Sequence, residues 1–313
     1  MPAVSTPATP NLNESPWRVL TRDIKLSHSV FALPFAVLAA FMARPLESSA
    51  TRFSVQLGLI VICMVTARTA AMIANRLIDR DIDARNPRTA GRALPSRRVR
   101  VKDAVGVGLL SAGAFIATCA VFGFAFDNWW PFLLSAPVLI WISAYPWLKR
   151  FTVLCHLYLG ASLAISPLAA AIAVDPSALS AQPSLWLLSL NVICWVAGFD
   201  IIYALQDLEI DRTQGLYSMP GRFGARRALW ISRLLHFVSA AALVAIGWTD
   251  PRFAIWFALA VGVVVVLLVV EHALVAGGAT ARVQIAFFTM NGLVSVLVGV
   301  VGIASVVASW NTG

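Results

Sequence analysis

A long apolar run, residues 53–74, ends in the polar stretch NRLIDRDID, which occupies residues 75–83. In a helix, Asn75, Asp79 and Asp83 recur at every fourth position and therefore share one face. Carboxylates at membrane depth are costly unless they meet a cation, a polar partner or water. The stretch therefore predicts a polar site at the membrane surface, built on the end of a transmembrane helix.

A second apolar run ends in the same way, in the stretch DIIYALQDLEID at residues 200–211. Its polar positions, Asp200, Tyr203, Asp207 and Asp211, follow one another at helical spacing and form one stripe. Two acidic stripes that face each other would bind hard divalent cations and, through them, a diphosphate. We therefore expect the ends of these two helices to lie close together.

The composition places the chain in a membrane. It has 313 residues, of which 59% are hydrophobic and 12% are charged, and its mean hydropathy is +0.80. Soluble domains carry about 25% charged residues, and an α-helix needs about 20 apolar residues to cross a bilayer, as the runs here provide. The strand alternation of an outer-membrane barrel is missing. The four cysteines stand singly in apolar runs, which is typical of small buried residues rather than of a metal or disulfide framework.

The apolar runs predict an all-α, polytopic membrane protein with nine transmembrane helices. The segment 1–22 starts with a Pro- and Thr-rich stretch that lacks the features of a signal peptide, and we expect it to be disordered and cytoplasmic. Residues 23–313 are expected to form a single nine-helix domain. The nine helices are predicted at residues 28–45, 53–79, 103–126, 129–148, 152–174, 184–208, 227–248, 253–276 and 282–309.

Membrane topology explains the net charge of +9 without a nucleic-acid partner. All but four of the 24 Lys and Arg residues lie before the first helix or in loops on the same side of the membrane. This asymmetry predicts a cytoplasmic N-terminus, and so places both acidic stripes at the cytoplasmic surface of the membrane. The four exceptions are Arg44, Arg52, Arg68 and Arg252.

Arg68 lies in mid-membrane, seven residues before Asn75 and on the same helix face. An unpaired Arg at this depth is expensive, so it needs an interior partner. The sequence leaves two roles open for Arg68: a counter-ion for one of the Asp residues, or a contact to phosphate. Two polar residues near the first helix, Lys25 and His28, are expected to be a membrane-end anchor and an interfacial or capping residue.

The loop after the first stripe, residues 80–102, is rich in Arg and is interrupted by Pro87 and Pro95. Acids next to bases suit a metal-bridged phosphate site, in which carboxylates hold the cations and guanidinium groups bind phosphate oxygens. A second basic loop, residues 212–227, follows the second stripe. The last three helices offer little chemistry, apart from Asn291, which we expect to form a hydrogen bond between helices.

Three signatures lie in order along the chain, each at a predicted cytoplasmic helix end. They are Asn75, Asp79 and Asp83 followed by Arg88 and Arg92; the pair Tyr145 and Lys149; and Asp200, Tyr203, Gln206, Asp207 and Asp211. On their own, Tyr145 and Lys149 would be typical of an interfacial Tyr and a snorkelling Lys. Together the three signatures resemble those of the UbiA superfamily of intramembrane aromatic prenyltransferases, most closely its 4-hydroxybenzoate polyprenyltransferase branch, and the resemblance covers roughly residues 25–310.

The resemblance implies an enzyme that transfers a polyprenyl group from a polyprenyl diphosphate to the ring of a hydroxylated aromatic acid, most directly 4-hydroxybenzoate, in quinone biosynthesis. It implies Mg²⁺ as the cofactor, with two ions expected. Asp79, Asp200 and Asp207 are expected to be catalytic, Asp200 by aligning or deprotonating the acceptor phenol. The implied binding roles are metal binding by Asn75, Asp79, Asp83, Asp207 and Asp211; diphosphate binding by Arg68, Arg88, Arg92, Tyr145 and Lys149; and acceptor binding by Arg150, Asp200 and Tyr203.

Other interpretations stay open. Arg76 follows Asn75 where many members have Asp, and Ala93 stands where Pro is common. These departures resemble a subgroup that contains enzymes of the futalosine menaquinone route, which prenylate 1,4-dihydroxy-6-naphthoate. In a different class, buried acids and a mid-membrane Arg also occur in ion-coupled secondary transporters, although the acids here lie at helix ends and not at the midplane. Intact Asp residues in both motifs argue against an inactive scaffold.

Overall fold

The structure is a computed structural model that describes residues 15–23, 31–276 and 282–310. The described residues form helices and turns without a strand, while Lys25 and His28 lie outside them. In chain order the α-helices are α1 (Pro16–Asp23), α2 (Leu33–Met42), α3 (Ala50–Ile78), α4 (Arg80–Ala84), α5 (Val101–Phe126), α6 (Trp130–Leu148), α7 (Cys155–Val174), α8 (Ala178–Ala181), α9 (Pro183–Ala204), α10 (Leu208–Thr213), α11 (Met219–Thr249), α12 (Ile255–Leu274), α13 (Val283–Ile285) and α14 (Asn291–Trp310).

Within the described residues, eight helical segments are long and apolar enough to cross a membrane. A further apolar helix, α2, has ten described residues and follows the undescribed stretch 24–30. These segments occur in the order that the sequence predicts. The chain is therefore a polytopic α-helical membrane protein.

Two predicted boundaries differ from the structure. A helix, α1, occupies Pro16–Asp23, where the sequence predicts disorder up to residue 22. The segment 212–227, predicted to be a loop, becomes helical at Met219, so this prediction is wrong for its second half. The hydroxyl of Ser218 accepts a hydrogen bond from the Gly221 N–H, and Pro220 lies in the first turn; both features start helices. The helix bends at Gly224, whose φ of +79° a glycine adopts without strain.

The helix that carries the second motif, α9, is the centre of the bundle. It packs between α7 and α11, and 14 of its 22 residues are buried, compared with two of the 19 residues of α6. A cluster of buried aromatic side chains, including Phe35, Trp195 and Phe257, fills the core around it. Because α9 is enclosed by neighbours, polar groups along it face the protein interior and not lipid.

Helices α3 and α9–α10 end at the same side of the bundle, which we name the motif end. The N-terminal helix α1 lies there too, with Val19 and Leu20 packed against Ile73 of α3 and against Leu94 and Val99 of the following loop. The Arg-rich loop is therefore anchored by apolar contacts to α1 and to α3. These contacts hold its side chains beside the end of α3.

Candidate active site

The first acidic motif continues across a break in the helix. Helix α3 ends at Ile78, and Asp79 joins it to the short helix α4. The Asp79 N–H donates to the Asn75 carbonyl at 2.9 Å and the Asp83 N–H donates to the Asp79 carbonyl at 2.8 Å. The helical spacing of the three positions is therefore kept. Asp79 and Asp83 are only 3% and 5% exposed, so both carboxylates lie inside the protein.

Each acid of the first motif meets a cation that the sequence predicts to bind phosphate. Arg92 donates from one terminal nitrogen to both carboxylate oxygens of Asp83, at 2.8 Å each. The ammonium of Lys149 pairs with Asp79, and the guanidinium of Arg150 lies 3.6 Å from the other Asp79 oxygen. Basic groups therefore line the carboxylates, which is the arrangement that a phosphate bound through metal ions requires.

The helix that carries the second motif is interrupted between Tyr203 and Asp207. Helix α9 ends at Ala204, a 3₁₀ turn covers Leu205–Asp207, and α10 starts at Leu208. Arg88, from the loop of the first motif, forms a bidentate pair with Asp207 and donates to the hydroxyl of Tyr203 at 3.0 Å. Asn86 of the same loop donates to Asp207 at 2.8 Å. The two motifs are therefore brought together, as predicted.

Lys149 and Tyr145 lie between the two motifs. Lys149, which bonds to Asp79, is also within electrostatic range of Asp211. Tyr145 is within range of Asp79, Asp200 and Asp211. The backbone carbonyl of Lys149 accepts a hydrogen bond from the Tyr217 N–H at 2.7 Å, which ties the end of α6 to the segment before α11.

The acids of the first motif fit a magnesium ion. Asp79 Oδ1 is buried and has no hydrogen-bond partner among the described residues. Burial raises the pKa of Asp79, and the charge and hydrogen bond of Lys149 offset this only in part. The described residues contain no group of three or more acidic, His or Cys side chains placed to hold a metal. Mg²⁺ does not need one, because it commonly binds one or two carboxylates together with substrate phosphate oxygens.

Asn75, another predicted metal ligand, is bonded to its neighbour Arg76. Its side-chain oxygen accepts a hydrogen bond at 3.2 Å from Arg76. A guanidinium has only donors, so the amide oxygen must be the atom that faces it. The amide nitrogen of Asn75 then faces away from Arg76, and the oxygen keeps one lone pair for a further ligand.

The two remaining cations lie at different depths. Arg150 stays at the motif end, where it donates to the Ile78 carbonyl at 2.7 Å and its guanidinium lies 5.0 Å from the ring centre of Trp147. Arg68 lies on α3 two turns below Asn75, and its buried Nε has no hydrogen-bond partner among the described residues. The sequence leaves two roles open for Arg68, a counter-ion for an Asp or a contact to phosphate. Among the described residues, Arg68 forms no ion pair with an Asp; the Asp79 carboxylate pairs with Lys149 and Arg150 instead.

Asp200 has a partner that sequence reasoning missed. His156 of α7 lies 2.7 Å from Asp200, measured from Nδ1 to Oδ2, and both side chains are largely enclosed. The two residues are 44 positions apart, and a single His in an apolar run carries no local sign of such a contact. Only the packing of α7 against α9 reveals it.

A second buried polar cluster joins the last helices of the chain. Asn291 donates to Glu271 at 2.7 Å and accepts a hydrogen bond from the indole of Trp195 at 2.6 Å, which confirms the predicted interhelical role of Asn291. His236 lies beside Glu271 and accepts or donates one hydrogen bond with His272 at 3.1 Å. The expectation that these helices carry little polar chemistry is therefore wrong in this cluster.

The four cysteines are free, and Cys119, Cys155 and Cys194 are buried. This confirms the predicted role of these three as small buried side chains, whereas Cys63 is half-buried.

Known proteins share the sequence pattern of this chain. The model of the UbiA prenyltransferase family matches residues 32–310. A 4-hydroxybenzoate octaprenyltransferase of Nitrosomonas eutropha is 30% identical over 246 residues, which are 77% of this chain and 81% of that protein. One of Francisella tularensis subsp. novicida is 32% identical over 192 residues. That match covers 61% of this chain and 64% of the relative, slightly less than two thirds of its length.

Solved structures share the fold. The apo structure of a UbiA homologue from Aeropyrum pernix K1 has a TM-score of 0.78 at 29% identity and covers 91% of this chain and 98% of its own. A UbiA homologue from Archaeoglobus fulgidus, bound to DMAPP and Mg²⁺, has a TM-score of 0.70 at 18% identity and covers 94% and 99%. The matched sequence, the helical bundle and the two converging acidic motifs agree, and the chain belongs to the UbiA prenyltransferase family.

Proposed function

We propose that the chain is a Mg²⁺-dependent aromatic prenyltransferase that moves a polyprenyl group from its diphosphate to the ring of a hydroxylated aromatic acid. One observation carries this proposal: the bidentate contact of Arg88 with Asp207 brings the first motif against the second. The names of the relatives, 4-hydroxybenzoate octaprenyltransferase, favour 4-hydroxybenzoate as the acceptor. The Mg²⁺ and DMAPP of the Archaeoglobus fulgidus structure support the choice of cofactor and donor class.

The diphosphate would lie between the two acidic motifs. Asp79 and Asp83 on one side, and Asp207 and Asp211 on the other, are the residues that would hold two Mg²⁺ ions, with Asn75 as a further oxygen ligand. When bound, Mg²⁺ neutralises the charge that develops on the leaving diphosphate, so that the allylic C–O bond can ionise.

Cationic side chains of the site would bind the phosphate oxygens directly. Arg88, Arg92 and Lys149 each lie beside a motif carboxylate, within reach of a phosphate bound there. Guanidinium groups make strong, charge-assisted hydrogen bonds to phosphate, and a Lys adds a point charge. Tyr145 lies between the motifs and would donate its hydroxyl to the same group.

The acceptor would bind deeper in the membrane than the diphosphate. Arg68 precedes Asp79 by eleven residues, about 16 Å along a helix, which is too far for a contact to a diphosphate held by Asp79. Asp200 likewise precedes Asp207 by two helical turns. We therefore place the acceptor carboxylate at Arg68 and its phenol at Asp200, with Tyr203 beside the ring. Arg150, which contacts the end of α3, then belongs with the diphosphate.

The topology completes the proposal. Helix α2, together with the residues before it, would be the first of nine spans, and residues 23–313 would form one domain. The excess of Lys and Arg in the loops of the motif end supports a cytoplasmic position for that end and for the N-terminus. A multi-pass protein of the bacterial inner membrane would then take its diphosphate from the cytoplasmic side and hold the isoprenoid tail along apolar helices.

The test uses the purified full chain in lipid nanodiscs with radiolabelled polyprenyl diphosphates of several lengths. Each donor is combined with 4-hydroxybenzoate or with 1,4-dihydroxy-6-naphthoate, with Mg²⁺ or with excess EDTA. We expect label in the aromatic acid only when Mg²⁺ is present. Turnover of the naphthoate alone would assign the futalosine-route alternative, and no incorporation into either acid would overturn the proposal.

A further inference from the structure

His156 joins three helices at the inner end of the candidate site. It lies in the first turn of α7, packs against α9 and contacts the first residue of α11. The residue is 3% exposed. A His buried in this way must satisfy both ring nitrogens through protein contacts.

The contacts of His156 fix its tautomer. The backbone N–H of Met219 donates to Nε2 at 3.2 Å. This N–H is in the first turn of α11, where N–H groups have no partner within the helix. An N–H can only donate, so Nε2 must carry the lone pair, and the proton of the neutral ring is on Nδ1.

The tautomer in turn orients Asp200. Nδ1–H of His156 donates to Asp200 Oδ2 at 2.7 Å and holds that oxygen in place. The other oxygen, Oδ1, makes no hydrogen bond to any described residue. Asp200 is on the face of α9 that leads toward Asp207, two turns deeper in the bundle. One carboxylate oxygen is therefore fixed by His156, and the other is left to meet a substrate hydroxyl.

We propose that His156 is a positioning residue for Asp200, which it holds as an oriented base toward the acceptor phenol. This inference rests on the proposed function. In the step, the phenol O–H bond breaks, its proton forms an O–H bond with Asp200 Oδ1, and the electron pair stays on the phenol oxygen. His156 keeps its proton on Nδ1 during this step, because Nε2 accepts the hydrogen bond of the Met219 N–H.

A purely structural His156 would only join α7 to α9 and α11, so the experiment must separate the two roles. His156→Leu removes both hydrogen bonds. His156→Gln keeps an amide that can donate to Asp200 and accept from Met219. The reference is Asp200→Asn, measured alone and combined with His156→Leu. A matched control, His236→Leu, removes another buried imidazole that packs against α9 outside the candidate site.

Steady-state kinetics with the acceptor turned over by the wild type give the readout. We expect His156→Leu to lower kcat about 100-fold, the size of a lost general-base contribution, and to leave the KM for the polyprenyl diphosphate unchanged. His156→Gln should stay within about fivefold of the wild type. His156→Leu should add no further loss to Asp200→Asn, because the two residues act as a unit. His236→Leu should lower the melting temperature and keep kcat.

The opposite results overturn the inference. They are an unchanged kcat in His156→Leu, an equal loss in His156→Gln, or a further loss on top of Asp200→Asn. If His156→Leu does not fold, His156→Met, whose unbranched side chain adapts more readily to the space of the imidazole, replaces it under the same criteria. A wild type without turnover would overturn the proposed function instead, and these variants are compared only once wild-type turnover is established.

Discussion

The carboxylate of Asp23 and the guanidinium of Arg76 form an ion pair at 3.1 Å, with side chains only 9% and 8% exposed. The pair joins the N-terminal helix α1 to the last turn of α3. Asp23 also accepts a hydrogen bond from the Ala93 N–H at 3.3 Å, and Arg76 donates to the neighbouring Asn75. The guanidinium next to Asn75 therefore comes with a compensating acid from α1. One contact connects the N-terminus, the first motif and its Arg-rich loop.

Removing Asp23 should destabilise the protein strongly. Asp23→Ala leaves the buried charge of Arg76 without its partner, and breaking a buried pair in this way costs about 3–5 kcal/mol. The double variant Asp23→Ala/Arg76→Leu should recover part of this loss, because no unpaired charge stays buried. Thermal unfolding in detergent, followed by circular dichroism, measures both.

The control for Asp23 is an ion pair on the surface of the same end. Arg100 and Asp103 lie 2.7 Å apart, but Arg100 is 71% exposed. Arg100→Ala should change the stability by less than about 1 kcal/mol, the range of exposed pairs. Equal losses of stability in Asp23→Ala and Arg100→Ala would contradict the prediction that burial makes the Asp23–Arg76 ion pair the more important one.

Neutralising one acid in either motif should stop turnover and preserve the fold. Asp79→Asn and Asp207→Asn keep the shape of the side chain but remove the charge that an ion and the adjacent cations require. We expect activity to fall more than about 100-fold, with elution from size-exclusion chromatography unchanged, and Mg²⁺-dependent binding of a labelled diphosphate to weaken.

The motifs supply their own controls for this test. Asp81 and Glu209 are also acids of the two motif segments, but their side chains are 80% and 79% exposed and point away from the site. Asp81→Asn and Glu209→Gln should keep wild-type activity. Near-normal turnover in Asp79→Asn or Asp207→Asn would contradict the model in which both motifs hold ions.

Arg68 and Arg150 should differ in the substrate that they bind. Arg68→Gln should raise the KM of the aromatic acid by about 10- to 100-fold, as expected for a buried charged hydrogen bond, with little change for the polyprenyl diphosphate. Arg150→Ala should act mainly on the diphosphate, since Arg150 contacts the end of α3. Steady-state kinetics with each substrate varied in turn decides the roles. A larger effect of Arg150→Ala on the aromatic acid would assign the acceptor carboxylate to Arg150, as the sequence analysis expects.

The sequence could predict the site where its residues are close along the chain. Asn75, Asp79 and Asp83 repeat with the helical period, and their backbone spacing survives the break at Asp79. The approach of Arg88 to Asp207 depends on how a loop folds across 119 positions, so only the convergence of the motifs, and not this contact, could be anticipated.

Contacts between helices that are distant along the chain could not be predicted from the sequence. His156 looks like any single polar residue in an apolar run, and the partner that gives it a role is contributed by α9. The 3₁₀ turn at Leu205–Asp207 likewise carries no local signal, since no Gly or Pro marks it. A prediction from periodicity continues a helix through such a turn, because the residues on both sides favour helix.

The end of the bundle opposite the motifs should lose stability in acid through Asp250. Arg252 donates to both oxygens of Asp250, at 2.9 and 2.7 Å, and Ser184 donates at 2.8 Å. Arg252 also donates to the Met42 carbonyl and to Gln182, so the pair connects three segments. Burial alone would raise the pKa of Asp250, but the hydrogen bonds and charge of Arg252 outweigh it, and the pKa is lowered.

A lowered pKa in the folded protein fixes the sign of the pH effect. The stability that ionised Asp250 contributes is fully present above the pKa of Asp in the unfolded chain, about 3.9, and is lost as the pH falls through the lower folded value. Asp250→Asn should therefore cost about 2 kcal/mol near pH 7, the usual range for hydrogen bonds to a charged group. The difference in melting temperature from the wild type should shrink below about pH 4.

Melting temperatures of both proteins in detergent, taken from pH 7 to pH 3, test this prediction. Asp127 is the matched control, since it lies at the same end, is exposed and has a φ of +57°, which Asn tolerates equally well. Asp127→Asn should stay within about 0.5 kcal/mol of the wild type at every pH. A gap between Asp250→Asn and the wild type that stays constant with pH would show that packing, and not the charge of Asp250, holds these three segments together.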